Sequence, residues 1–192
     1  MKSEILSDGD LIRGCSQNNR KSQEMLYRRY AKDMYNLCLI YENNRDKAKD
    51  ILQEAFIKIF RNISSFEKHG SLTGWMKKII TNTAIDHYRK NYREAQFIPI
   101  DNIVQPFSDE EPVASILNTK DIIAQVNRLP KGARMIFQLH AIEGYSHKEI
   151  ANLLNISEGT SKSQINRAKQ LLQQWIGDYD MKHKLKIIEE SG

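Results

Sequence analysis

Along most of the chain, apolar side chains recur at three- and four-residue spacing, the period that gives a helix one buried side. Residues 8–18 and 20–43 carry this spacing, and in the second stretch Met25, Leu26, Tyr30, Met34, Leu37 and Cys38 form an apolar stripe. A polar break at 42–45 leads into a third helix over 46–63, with Ala48, Leu52, Ala55, Phe56, Ile59 and Ile63 on its buried side. Residues 64–73, SSFEKHGSLT, read as a loop. A fourth helix is predicted from Gly74-Trp75 to about residue 93, with Trp75, Ile79, Ile80, Ala84 and Tyr88 inward. Lys77, Lys78, Thr81, Asn82, Asp86, Arg89 and Lys90 are predicted to face out. Between 96 and 119 the pattern fails, because Pro99, Pro106 and Pro112 interrupt any helix, so a linker is expected. Helical spacing resumes over 121–129, is expected to break at Pro130 and Gly132, and returns over 133–143.

The next stretch, residues 143–175, carries the most specific local signals. Ser146 stands three residues before Glu149, the capping-box spacing, so a helix begins near His147 with Ile150, Ala151, Leu153 and Leu154 on its apolar side. Asn155 suits the left-handed residue of a tight turn, Ile156 can plug the corner, and Ser157 can cap the next helix. Positions 161, 165, 168 and 172, which are Ser, Ile, Ala and Leu, then recur on an inner face. Helix, tight turn and second helix together read as a helix-turn-helix. Its outer face holds Lys162, Ser163, Asn166, Arg167 and Gln170, with Lys169 nearby and no acid from Thr160 to Trp175. Arg or Lys can read guanine and Asn or Gln can read adenine in the major groove. A solvated basic face is the ordinary reading of one such helix alone; the cap, turn and second helix in combination favour DNA.

Two further surfaces carry candidate chemistry. Asp50, Gln53 and Glu54 fall on one exposed patch of the third helix, at i, i+3 and i+4. The residues alone leave three readings open: a metal or catalytic pair, a solvated face, or a docking surface for another protein. The first is poor, since neither a His nor a third acid stands in register. The second surface is the fourth helix beside the loop at 64–73. Cations that follow phosphates, next to an aromatic-bearing loop that can hold unstacked bases, suit single-stranded nucleic acid. Trp75 and Tyr88 themselves read as core.

Charge sharpens this picture. The formal net charge is +5 and the pI about 9.1, which favours a polyanionic partner. It is segregated: residues 76–95 hold five cations against two acids, and 96–121 hold one lysine against five acids. Two cysteines, Cys15 and Cys38, are too few for a disulfide framework or a zinc site, which points to a reducing compartment. No apolar run approaches a membrane span and no signal-peptide pattern opens the chain, so a cytoplasmic location without membrane insertion is expected. No phosphate-binding glycine loop or nucleophile–base arrangement is visible, so neither catalytic residues, a cofactor nor a metal is expected.

These motifs in this order resemble the bacterial extracytoplasmic-function sigma factors, the smallest of the sigma-70 class. DILQEAFIKIF resembles the family's region 2.2, GWMKKIITNTAIDHYRK its regions 2.3 and 2.4, and GYSHKEIANLLNISEGTSKSQINRAKQLL its region 4.2. The resemblance implies an all-α protein of two small domains. Residues 8–95 would dock on polymerase and melt the −10 element, an acidic linker would cover 96–119, residues 120–177 would read the −35 element, and a charged tail at 178–192 would fray. It assigns Asp50, Gln53, Glu54 and Phe56 to docking on core RNA polymerase, with the largest and second-largest subunits as partners. It assigns the loop, with Ser65, Phe66 and His69, together with Lys77, Lys78, Asn82, Asp86 and Arg89, to the −10 element. Lys162, Ser163, Gln164, Asn166 and Arg167 fall to the −35 element of promoter DNA. The linker, in the family, threads the polymerase cleft, where acids imitate nucleic-acid charge. A chain that is a monomer when free is expected. Whether an anti-sigma factor holds it off is left open.

Two positions depart from the family pattern. Ser161 stands where an apolar residue is usual, losing packing, and Gln164 stands where an arginine is usual, losing a charge. Two rivals remain: a lone dimeric DNA-binding regulator, which would need a palindrome and one kind of DNA-binding surface, and a nuclease using Asp50 and Glu54.

Overall fold

A computed structural model describes residues 6–66, 70–95 and 119–190, and among them there is no strand. The helices are α1 (Asp8–Ser16), α2 (Arg20–Tyr41), α3 (Arg45–Asn62), α4 (Leu72–Ala95), α5 (Thr119–Arg128), α6 (Lys131–Phe137), α7 (His147–Leu154) and α8 (Glu158–Glu190). A 3-10 turn, Ile63–Ser65, follows α3, and a π-helical segment, Gln138–Ile142, follows α6. The chain divides into two compact units, Met1–Asn91 and Tyr92–Gly192. The expected linker falls almost wholly outside the described residues. None of the helices described is long and apolar enough to cross a membrane.

In the first unit, side-chain caps fix where each helix starts. Ser7 and Asp10 form a capping box on α1, Asn19 accepts from the Ser22 amide at the start of α2, and Asn44 accepts from the Asp46 and Lys47 amides at the start of α3. The fourth helix starts two residues earlier than its apolar pattern predicts. Its cap is Ser71, whose hydroxyl accepts from the Gly74 amide at 2.9 Å, so Gly74 lies inside the first turn and does not open it. At the α1–α2 corner, a Cβ on Gly14 would collide with the Ser22 side chain, and only glycine lets the helices approach so closely.

The core of this unit joins Leu11 of α1, Leu26, Met34 and Cys38 of α2, Ile51, Leu52, Ala55 and Ile59 of α3, and Met76, Ile80 and Ile85 of α4. All six positions assigned to the buried side of the third helix are buried, five of them in α3 and Ile63 in the 3-10 turn that follows it. On α4 the buried face is wider than predicted. Thr81, expected to face out, is 3% exposed, with its hydroxyl 3.2 Å from the Tyr41 hydroxyl. Thr83 is also buried, its hydroxyl donating to the Ile79 carbonyl at 2.8 Å. A threonine that satisfies its hydroxyl in this way packs as a small apolar residue, which apolar periodicity does not register. Trp75 and Ile79 are only half-buried.

The second unit packs Val126, Leu129 and Ala133 against Ala168 and Leu172 of α8, with Phe137 and Trp175 at the margin. The Arg128 guanidinium lies 4.5 Å from the centre of the Trp175 ring. Pro130 caps α6 and Gly132 sits within its first turn, so the expected break is shorter than predicted. Proline needs no amide partner at a helix start, and one glycine costs a helix only about 1 kcal/mol. The backbone of α8 stays helical to Glu190, where a fraying charged tail was expected beyond residue 177.

Candidate functional site

Three surfaces stand where the sequence places chemistry. On α3, Asp50 and Gln53 are exposed, and Glu54 beside them is held from two sides. Its carboxylate accepts from Lys58 at 2.8 Å and from His87 of α4 at 2.7 Å. The Lys58 hydrogen bond, supported by that of His87, keeps the Glu54 carboxyl below the usual carboxylate range. Lys58 also reaches the Thr83 hydroxyl at 3.3 Å and Asp86 at 3.4 Å, and Asp86 lies 3.7 Å from Arg89. A continuous run of charge therefore leads from the acidic patch to the outer face of α4.

Phe56, assigned to the same patch, is 3% exposed and packs edge-on under Tyr27 with ring centroids 4.7 Å apart. Its side chain belongs to the core, because position 56 is on the buried stripe of α3; the apolar groups that solvent meets there are Tyr27 and Ile57. Sequence reasoning missed Lys58, His87, Tyr27 and Ile57. Lys58 was findable, four residues after Glu54 on one helix face; His87 was not, being 33 residues away.

The second surface is the outer face of α4. Lys78, Asn82, Asp86 and Arg89 follow one another at helical spacing, with Lys77 beside them; Lys77, Lys78, Asn82 and Asp86 are exposed and Arg89 half so. Ser65 is exposed and its hydroxyl closes the 3-10 turn on the Asn62 carbonyl at 2.7 Å. Phe66 is half-buried against Trp75, with ring centroids 5.5 Å apart. His69 lies outside the described residues.

The third surface is the helix-turn-helix. The Glu149 amide donates to the Ser146 hydroxyl at 3.3 Å, and the Ser146 amide donates to the Glu149 carboxylate at 2.8 Å, a complete capping box. Asn155 adopts the left-handed conformation, φ 55° and ψ 49°. The Ser157 hydroxyl accepts from the Thr160 amide at 2.9 Å and starts α8. Ser161, Ile165, Ala168 and Leu172 turn inward, all of them buried. Lys162, Ser163, Asn166 and Arg167 are exposed, whereas Gln164 is half-buried and stands less open to a groove than its neighbours. Lys162 is paired with Glu158 at 2.8 Å. The departure at position 161 has a partner that the sequence did not reveal: His147 Nδ1 lies 2.9 Å from the Ser161 hydroxyl. Partial burial, and after it the nearby His140 and Lys162, hold the His147 imidazole below its usual pKa.

Family comparison fits these surfaces. Residues 26–94 match Sigma-70 region 2, and residues 119–172 match Sigma-70, region 4. The ECF RNA polymerase sigma factor SigW of Bacillus subtilis is 32% identical over 160 residues, spanning 78% of this chain and 86% of its own length. The chain belongs to the ECF RNA polymerase sigma factors. The sigma factor is also 32% identical to SigE of Mycolicibacterium smegmatis, over 84% of this chain but only 63% of that longer protein. It is 27% identical to the sigma-E factor of Haemophilus influenzae, over 88% of this chain and 95% of that one. The acidic patch and the outer face of α4 fall inside the region 2 match, and the helix-turn-helix falls inside the region 4 match.

Proposed function

We propose that this sigma factor binds core RNA polymerase through Asp50, Gln53 and Glu54, and directs it to promoters by using two DNA surfaces at once. Residues 8–95 form the docking and melting unit: Lys77, Lys78, Asn82 and Arg89, with Ser65 and Phe66, engage the −10 element as it opens. Residues 120–177 form the unit that reads the −35 element, through Lys162, Ser163, Asn166 and Arg167 on α8. The largest and second-largest polymerase subunits are the partners. Opening a base pair needs no nucleotide hydrolysis here, because unstacking costs only a few kcal/mol and cationic contacts with an aromatic-bearing loop can offset it.

The observation that carries the reading is the exposed α8 face, without an acid from Thr160 to Trp175, on a recognition helix complete with cap and turn, in a chain whose other unit presents a different basic helix. A dimeric repressor needs one kind of DNA surface used twice. The nuclease reading meets a physical objection, since Glu54 is already engaged by Lys58 and His87 and does not stand beside Asp50 as a vacant carboxylate pair.

Run-off transcription with core polymerase and promoter fragments tests the assignment. Defined start sites that depend on both the protein and core polymerase are expected. Tight sequence-specific binding by the free protein would favour the regulator instead, and metal-dependent cleavage would favour the nuclease.

A further inference from the structure

The helix-turn-helix places a polar side chain where helix packing calls for an apolar one. Ser161 is 0% exposed, and a buried hydroxyl left without a partner is destabilising. Its partner is His147, the first residue of α7, so the 2.9 Å hydrogen bond between imidazole Nδ1 and hydroxyl ties the start of α7 to the first turn of α8. His147 in turn lies against His140, the rings stacked with centroids 4.3 Å apart and planes within 22°. His140 Nδ1 donates to the Tyr145 carbonyl at 2.8 Å; a carbonyl can only accept, so that nitrogen carries the proton. Three side chains thus form a strut from the π-helical segment Gln138–Ile142, past the loop, to the helix that faces DNA.

We infer that His147 and Ser161 are positioning residues that fix the angle at which α8 presents Asn166 and Arg167, and so set which −35 bases this sigma factor prefers. The inference rests on α8 being the base-reading helix. An apolar contact between two helices fixes their separation but lets one slide or roll over the other. A hydrogen bond of defined length and direction removes that freedom. Ser161 shares α8 with Asn166 and Arg167, so a shift in the first turn passes along the helix to the side chains that would meet base edges. Bidentate base contacts tolerate little displacement, whereas phosphate contacts made by flexible cations tolerate much. Discrimination between bases therefore depends on the strut more steeply than overall affinity does.

The test uses holoenzyme reconstituted with core polymerase and a set of promoters in which each −35 base pair is replaced singly. Ser161→Val and His147→Phe should each lower discrimination between the preferred and replaced promoters by about fivefold to tenfold, the scale of one good base contact. Core binding and binding of −10 single strand should not change. The double variant should be no worse than either single one, because both remove the same bond. Ser161→Thr, which keeps the hydroxyl, should retain discrimination. If Ser161→Val does not fold, Ser161→Ala carries the same comparison. Undiminished discrimination in Ser161→Val or Ser161→Ala, with Arg167→Ala losing it, would overturn the strut alone. Undiminished discrimination in Arg167→Ala would overturn the base-reading assignment beneath it.

Discussion

Glu54 of α3 accepts a hydrogen bond from His87 of α4 at 2.7 Å, so a carboxylate of the acidic patch proposed for docking also ties two helices of the first unit together. Asp50, one turn earlier, stands exposed. The two acids should therefore respond differently to charge reversal. Asp50→Lys should abolish association with core polymerase while leaving the melting temperature unchanged. Glu54→Lys should abolish association as well, but it also sets a cation beside Lys58 and His87. That variant should lose on the order of 1 kcal/mol of stability, a modest figure because the Glu54 side chain is 45% exposed. Co-purification with core polymerase and thermal unfolding of each variant separate the two effects. Unimpaired association in Asp50→Lys would remove the docking role.

Acid should find the same carboxylate. The folded-state pKa of Glu54 lies below its ordinary value of 4.5, through the Lys58 and His87 hydrogen bonds. A depressed acid contributes stability that is present in full above the unfolded-state pKa and is lost as the pH falls through the folded-state pKa. The melting temperature should accordingly decline below about pH 4.5. Glu54→Gln should show a shallower decline over that window and converge with the parent protein at the acid end. A decline of equal steepness in both would mean that the ion pairs of Glu54 do not contribute.

How much of this was legible beforehand depended on sequence separation. The Ser146–Glu149 box, the left-handed Asn155 and the inward row of Ser161, Ile165, Ala168 and Leu172 are local, and spacing alone located them. Lys58 is also local, yet an acid-based reading of the patch passed over its cation. His87 and His147 gain their roles from partners 33 and 14 residues away, which periodicity cannot pair. Thr81 and Thr83 were misjudged or missed because buried hydroxyls with partners look polar in a sequence. Phe56 was offered both to the core and to a docking surface, and packing against Tyr27 gives it to the core. Gly132 was given too much weight as a break, since a single glycine weakens a helix without ending it.

Lys162 and Arg167 share the exposed face of α8, but they should fail in distinguishable ways. Arg167→Ala should reduce promoter-dependent transcription by more than about tenfold and relax preference at one −35 position, as expected from about 1–3 kcal/mol for a base contact. Lys162 is already paired with Glu158, an exposed pair of little intrinsic strength, and its charge is available to a phosphate. Lys162→Ala should weaken binding evenly across promoter sequences and lower the salt dependence by about one ion. Holoenzyme binding at several salt concentrations on matched promoters checks both. Normal transcription from Arg167→Ala would exclude it from the base-reading set.

The turn between α7 and α8 makes a backbone demand that a side-chain series can isolate. Asn155 sits at φ 55° and ψ 49°, exposed, where its side chain is not needed for packing. Glycine adopts this conformation freely, whereas a β-branched residue pays about 1–2 kcal/mol or more for it. Asn155→Gly should thus keep the melting temperature of the second unit close to that of the parent, and Asn155→Val should lower it. Because α7 and α8 meet through this turn, Asn155→Val should also weaken −35-dependent transcription, while core binding through the acidic patch of the first unit stays intact. Equal stability of the glycine and valine variants would mean that the left-handed turn does not hold the helix-turn-helix in shape.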